Sequence, residues 1–377
     1  MNILALEPYY GGSHRAFIDG LSKASRYAWT LLTLPAHKWK WRMRHSAITF
    51  ASRAAGLNET SQDFDVLFCS DMLNLAEFTA LAPAGMAGLP KVTYFHENQL
   101  TYPVSAEDER DYHFAMTNLT SALAADAVWF NSQFHMDSFL DALAKFLKSM
   151  PDHQPLETIE KIRAKSSVYP PGIADFPARQ AREPGPLRIL WAARWEHDKN
   201  PEDFFEALEI LRAKNVPFRL SVIGQSFQNR PAIFEKAHIS FRDYIELWGY
   251  QQSRENYERA LMQADVIVST ANHEFFGIGI LEAVAAGAYP LVPNRLSYPE
   301  ILGLGRLEDA GQFFYDGTAR ELADKLSTLA GRVEKDALWP ASISPAILTD
   351  HLKWRNLARR YDKAFEEIRT GYAEGST

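Results

Sequence analysis

Glu274 and Glu282 lie eight residues apart in "NHEFFGIGILEAVAAG" (272–287), and their setting suggests a ligand. The apolar run 265–271 reads as a strand that enters a turn and then a helix opening near Gly277. Were all eight residues helical they would span ~12 Å, about the reach from a hexose to the ribose of a nucleotide sugar. Between the carboxylates, a helix N-terminus offers unbonded amides and a positive dipole end to a diphosphate. Gly277 and Gly279 would let the backbone approach phosphate oxygens closely, with Phe276 and Ile278 beside them. Two surface glutamates are the plainer reading of the spacing alone; the strand–turn–helix context and the glycines favour the ligand.

Three further groups sit where strands end. "RWEHDKN" (194–200) follows the run "ILWAA", so Arg194 and Lys199 can come from one loop onto a leaving diphosphate, which needs cations as negative charge develops. "YYGGSH" (9–14) places Gly11 and Gly12 ahead of a helix, where their amides could meet a phosphate or simply make a turn; no G-x-G-x-x-G is present. "HENQ" (96–99) follows "KVTYF", and His96 either touches a sugar near its anomeric carbon or is satisfied within its turn. No Asp-x-Asp pair sits where it would hold a divalent cation against a diphosphate, so a metal-independent site with no cofactor is expected.

"HKWKWRMRH" (37–45) is a local exception to the composition. Lys38, Lys40, Arg42 and Arg44 alternate with Trp39, Trp41 and Met43 in a chain of net charge −7. Read as extended, the alternation puts the cations on one face and the tryptophans on the other. The tryptophans then either anchor the segment or stack on a base, and the cations either face water or bind phosphates.

These residues need two α/β scaffolds to hold them. Short apolar runs at 2–6, 27–34, 65–70, 91–98 and 127–132 read as strands, with helical stretches between them, the pattern of a helix-covered parallel sheet. A proline-rich stretch around 169–189 without sustained period reads as a linker. A second series follows, with strands at 188–195, 218–224, 245–250, 265–271 and 288–293 and helices at 201–214, 253–263 and 278–287. The expected division is a first domain at 1–175, a linker at 176–187, a second domain at 188–346 and a tail helix at 347–372. In open parallel sheets ligands bind outside the carboxyl ends of the strands, so a cleft between the two domains is the expected site.

The totals narrow the function classes. A length of 377 residues suits two domains, and 46% hydrophobic with 23% charged residues is globular composition. The halves carry 17 cations against 20 anions and 23 against 27, so no general polyanion surface exists and RNA contact must rest on a local patch. The single cysteine, Cys69, lies in a strand-like run and excludes an internal disulfide. No stretch approaches a membrane span and the N-terminus has no signal-peptide pattern, so a cytoplasmic location is expected.

The pairing of Arg-x4-Lys (194–199) with Glu-x7-Glu (274–282), in the second of two Rossmann-like domains, resembles the retaining family 4 glycosyltransferases of GT-B fold. That resemblance implies roles. Glu274 would hold donor hexose hydroxyls, Glu282 the ribose, and Arg194 and Lys199 the diphosphate, helped by amides at 277–279 and by Gly12. His96 would lie near the sugar, and Gly249 and Tyr250 of "WGY" beside the nucleobase. The last helix would cross back onto the first domain.

A narrower resemblance covers nearly the whole chain. "YGGSH", "LPAHKWKWRMR", "YFHENQLTYPV", "MPDHQP", "RWEHDKNPEDFF" and "HEFFG", in that order, are similar to the tRNA-queuosine α-mannosyltransferase family. It implies transfer of mannose from GDP-mannose to the cyclopentene diol of queuosine at the wobble position of tRNA-Asp. Queuosine-containing tRNA and a nucleotide sugar are then the partners, with no membrane or protein partner inferred, and Lys38 to Arg44 become a tRNA contact. The competing expectation is a related retaining enzyme with another sugar donor or a lipid or glycan acceptor.

Overall fold

The computed structural model describes residues 1–58, 63–103, 111–177, 179, 181–227 and 230–375. Val104 of the "YFHENQLTYPV" stretch and linker positions 178 and 180 lie outside the described residues. The chain divides into two compact units, Met1–Gly172 with Trp354–Thr377, and Ile173–Lys353.

Unit 1 is built on six parallel strands, β1 (Asn2–Tyr10), β2 (Ala28–Pro35), β3 (Val66–Ser70), β4 (Lys91–Phe95), β5 (Ala127–Phe130) and β6 (Ser166–Val168), ordered β2-β1-β3-β4-β5-β6. Alternation decides its two faces: Leu4 and Leu6 of β1 join one core cluster while Ile3 and Ala5 join the other. The first cluster is covered by helices that include Trp39–Asn58 and Gln133–Lys148. The second is covered by Gly12–Ala24 and by the tail helix Trp354–Gly375, whose Leu357, Tyr361, Ala364 and Phe365 recur at helical spacing. The tail begins at Trp354 rather than 347; Pro345–Thr349 is a separate short helix whose Leu348 belongs to the core of unit 2.

Unit 2 has β7 (Leu187–Ala192), β8 (Phe218–Ile223), β9 (Ile245–Gly249), β10 (Val266–Val268), β11 (Tyr289–Pro293) and β12 (Phe314–Tyr315), ordered β12-β11-β10-β7-β8-β9 and again parallel. The short strands β6 and β12 carry too few residues for a periodic signal and were not expected. The stretch read as a linker is stapled to unit 2: Arg179 donates to the carbonyls of Gly287 and Ala264, and Arg182 forks onto Asp265 at 2.8 Å to each oxygen.

Each sheet reverses its direction of growth once. In unit 1 this happens between β1 and β3, and in unit 2 between β7 and β10. Helices that follow the two flanking strands leave on opposite faces there, which opens a crevice at the strands' carboxyl ends.

Candidate functional site

The β7/β10 crevice of unit 2 is where Lys199 and Glu274 meet. Lys199 follows β7 on a short 3-10 turn, His197–Lys199, and Asn200 in left-handed conformation leads straight into the helix Pro201–Ala213. Two bonds tie this loop to the one after β10: Asn272 N–H donates to Asp198 O at 2.8 Å, and Thr270 Oγ1 donates to Lys199 O at 2.8 Å. The buried Lys199 ammonium donates to His273 O at 2.7 Å and pairs with Asp198 at 3.1 Å and Glu274 at 3.4 Å. Burial opposes its charge, but Glu274 and Asp198 outweigh that and raise the pKa. The Glu274 carboxyl shows the mirror image, with burial pushing it up and Lys199 holding it below its ordinary value. His273, desolvated beside Lys199, falls to about 4 and is neutral. The site therefore stores an ammonium and a carboxylate side by side.

Gly277 caps the helix Ile278–Ala285 with φ +90°, and a Cβ there would press on the Tyr298 ring at 3.0 Å, so glycine is required twice over. Only residues from Ile278 onward are helical, so the fully helical ~12 Å span between Glu274 and Glu282 does not apply. Ile278 and Gly279 hold the first helical positions, whose amides have no partner within the helix. A Cβ on Gly279 would make only ordinary contacts, so packing alone does not demand this glycine. The Phe276 side chain is in the core, and its amide points to Glu274 Oε1 at 3.5 Å, which leaves it a framework residue. A small cavity of about 40 Å³ is lined by Lys199, Glu274, Gly277, Gly279 and Tyr298.

Glu282 is held by residues that the chain order does not reveal. Tyr257 Oη donates to its Oε2 at 2.8 Å, and Arg254 reaches its Oε1 at 2.9 Å. Burial and the Glu282 charge raise the Tyr257 pKa well above normal, so the phenol stays a donor. Arg194 is exposed on the same loop as Lys199 and pairs with Glu196 at 3.2 Å. Gly249, at φ +94°, ends β9, and Tyr250 after it is largely exposed.

Unit 1 places its own residues at the β1/β3 crevice. Gly11 packs so closely on Ala36 that a Cβ would overlap that residue, and Gly12 adopts φ +52° in open space. His96 follows β4; its N–H donates to Asp71 Oδ1 at 2.9 Å, and its ring stacks on His14 with centroids 4.0 Å apart. Burial and the His14 charge hold His96 well below its ordinary pKa, so it is neutral. Glu7, His14 and Asp71 were not singled out from the chain, although each lies in or beside a stretch that ends or follows a strand.

Residues 37–45 are not extended. Trp39 begins the helix Trp39–Asn58, because Trp39, Met43, Ala47 and Phe50 keep a helical period toward the core, and burial overrides the local alternation. Lys38, at φ +53°, sits just before it. Trp39 packs on Phe114 at 5.1 Å, whereas Trp41 is 61% exposed and lies against His45. Lys40 and Arg44 share the exposed side, with Arg44 over the Phe114 ring at 5.0 Å. Arg42 turns back onto Pro35 O at 3.0 Å and His45 at 2.8 Å, so it is spent on its own chain.

Comparison with known proteins decides the family. Residues 2–173 match the model described as tRNA-queuosine alpha-mannosyltransferase N-terminal, and 173–335 match Glycosyl transferases group 1. The chain is 39% identical over 312 residues to the tRNA-queuosine alpha-mannosyltransferase of Drosophila melanogaster, covering 80% of this chain and 81% of that one. This chain belongs to the tRNA-queuosine alpha-mannosyltransferase family. It is a glycosyltransferase. A more distant relative, at 24% identity over half of each chain, is the GDP-mannose:cellobiosyl-diphosphopolyprenol alpha-mannosyltransferase of Xanthomonas campestris. Among solved structures, Alr3699/HepE of Anabaena in complex with UDP superposes with TM-score 0.67 at 15% identity, over 97% of this chain and all of that one. That likeness establishes the GT-B fold. Among the described residues no helix is long and apolar enough to cross a membrane.

Proposed function

We propose that this enzyme transfers mannose from GDP-mannose to the cyclopentene diol of queuosine in tRNA, with retention at the anomeric carbon and without a metal ion. Lys199 and Arg194 receive the diphosphate, the amides of Ile278 and Gly279 assist, Glu274 takes hexose hydroxyls and Glu282 takes the ribose. The bond from the anomeric carbon to the diphosphate oxygen breaks. A glycosidic bond forms to the acceptor oxygen, and the acceptor's proton passes to the departing diphosphate. The protein's contribution is position and charge rather than an enzymic nucleophile. His96 is assigned to the transferred sugar by the family resemblance, and Lys38, Lys40, Trp41 and Arg44 to the tRNA.

The observation that carries this reading is the buried Lys199 paired with the half-buried Glu274 beside the glycine-capped start of a helix. A donor diphosphate can take the ammonium over, releasing Glu274 to the hexose. The test is incubation with several nucleotide sugars and tRNA with or without queuosine, followed by nucleoside mass spectrometry. A hexose mass is expected only with GDP-mannose and only on queuosine. Transfer to unmodified tRNA, or to a lipid-linked acceptor instead, would overturn it.

A further inference from the structure

The carboxyl ends of β1, β3 and β4 gather more ionisable groups than the donor chemistry uses. Glu7, His14 and Asp71 are buried there, and His96 and Glu97 are half-buried. His14 Nδ1 lies 3.4 Å from Glu7, whose carboxylate also accepts from Tyr9 N–H at 2.8 Å and Ser70 Oγ at 3.1 Å. Burial works against a charge on His14, but Glu7 outweighs it and lifts the pKa to about 9. That imidazolium and Glu7 balance one another; burial pushes the Asp71 carboxyl well above its ordinary pKa, with Glu97 adding to the effect, so a cation brought to Asp71 would draw out its charge. Asp71 Oδ1 is taken by His96 N–H at 2.9 Å, while Oδ2 is closed to solvent and has no hydrogen-bond partner. A buried oxygen of this kind is rare and calls for a donor from outside the chain.

An organic cation suits this cluster better than a metal ion. Glu7, His14 and His96 bring ligand atoms within 4.8 Å of one another. The His14 and His96 rings, however, lie nearly face to face, 34° from parallel, so an ion cannot sit at bonding distance in the plane of both. A protonated amine needs no such alignment and brings hydrogen-bond donors with its charge.

We infer that this cluster is the acceptor pocket of unit 1, in which the Asp71 carboxylate binds a protonated amine of the acceptor while Glu7, His14 and His96 address the hydroxyls beside it. The inference rests on the proposed function. Queuosine carries its cyclopentene diol on a secondary amine, a cation at neutral pH, so charge and hydroxyls arrive together. The location agrees with the β1/β3 reversal, where an open parallel sheet offers a crevice. His96 and Glu97 are half-buried beside it, and the Glu97 carboxylate, which acts on Asp71 electrostatically, offers the amine a second negative charge.

The experiment measures binding of the full chain to one tRNA made with queuosine or with guanosine at the wobble position, alongside binding of GDP. Wild type is expected to prefer the queuosine form. Asp71→Asn, which keeps an acceptor for the His96 amide, is expected to cut that preference about tenfold or more while GDP affinity is unchanged. Glu97→Gln, at a partly exposed position that leaves the fold intact, is expected to cut it less and decides the matter if Asp71→Asn does not fold. A preference kept in both variants overturns the pocket and leaves the proposed function standing. A wild type without preference overturns the acceptor reading itself, and the pocket with it. Micromolar zinc binding to the free protein, lost in His14→Ala, would replace the amine with a metal.

Discussion

At the scale of single residues, the proposed donor chemistry rests most heavily on Lys199. Its burial between Asp198 and Glu274 means that its charge acts in a medium of low polarity, where a departing diphosphate gains most from it. Lys199→Ala is expected to lower the single-turnover rate by ~10²-fold or more, the scale of a lost transition-state charge partner. A near-wild-type rate would remove it from the mechanism. Glu282 makes a second prediction. Tyr257→Phe deletes the 2.8 Å bond that fixes its carboxylate and should raise the donor KM about tenfold, as for a lost hydrogen bond to a charged group. Steady-state kinetics with varied GDP-mannose checks this. Lys199 and Glu274 stood out in the chain because each lies just after a strand, and Glu282 because it lies in the helix that follows, eight residues from Glu274. Tyr257 was not, since it reaches Glu282 across 25 residues from another helix.

At the scale of elements, the segment 37–58 shows how local alternation misleads. Cations at every second residue imitate a strand, but the apolar period set by Trp39, Met43, Ala47 and Phe50 runs at helical spacing and wins because it reaches the core. The two tryptophans therefore part company. Trp41→Ala should weaken tRNA binding about tenfold, the loss of one stacking partner, with little change in thermal midpoint. Trp39→Ala should lower the midpoint instead, because its ring packs on Phe114. Calorimetry and a tRNA binding assay on both variants separate the roles, and equal effects would mean that neither ring stacks. The tail helix has a similar fixed point: Trp354 lies against Gly20 and Gly172, where any Cβ would overlap its indole. Gly20→Ala should therefore lower the thermal midpoint by loosening the tail, at a cost of about 1–3 kcal/mol for overpacking.

At the scale of the molecule, each unit has its own apolar core, and charge inside unit 1 couples its stability to pH. His14 has a folded-state pKa raised from 6.5 to about 9 by Glu7, so the pair contributes its full stability below the unfolded value. That contribution is lost as pH rises through about 9. The thermal midpoint of unit 1 should fall between pH 6.5 and 9, and Glu7→Gln should flatten that slope. Calorimetry across the range checks it, and an unchanged slope in the variant would assign the effect elsewhere.

Read alone, the chain determined most of the strands and helices, that there are two α/β series, which loops carry Arg194, Lys199 and Glu274, and that Glu282 lies in the helix that follows Glu274. Those features depend on neighbours a few residues away, and periodic burial writes them into the text. Only the tertiary structure decided where the two sheets reverse, that Arg254 and Tyr257 grip Glu282, that Arg42 folds back on Pro35, and that Glu7, His14, Asp71 and His96 share one buried cluster. Strand order and cross-helix contacts join residues far apart in the chain, and no local pattern encodes which of them will meet.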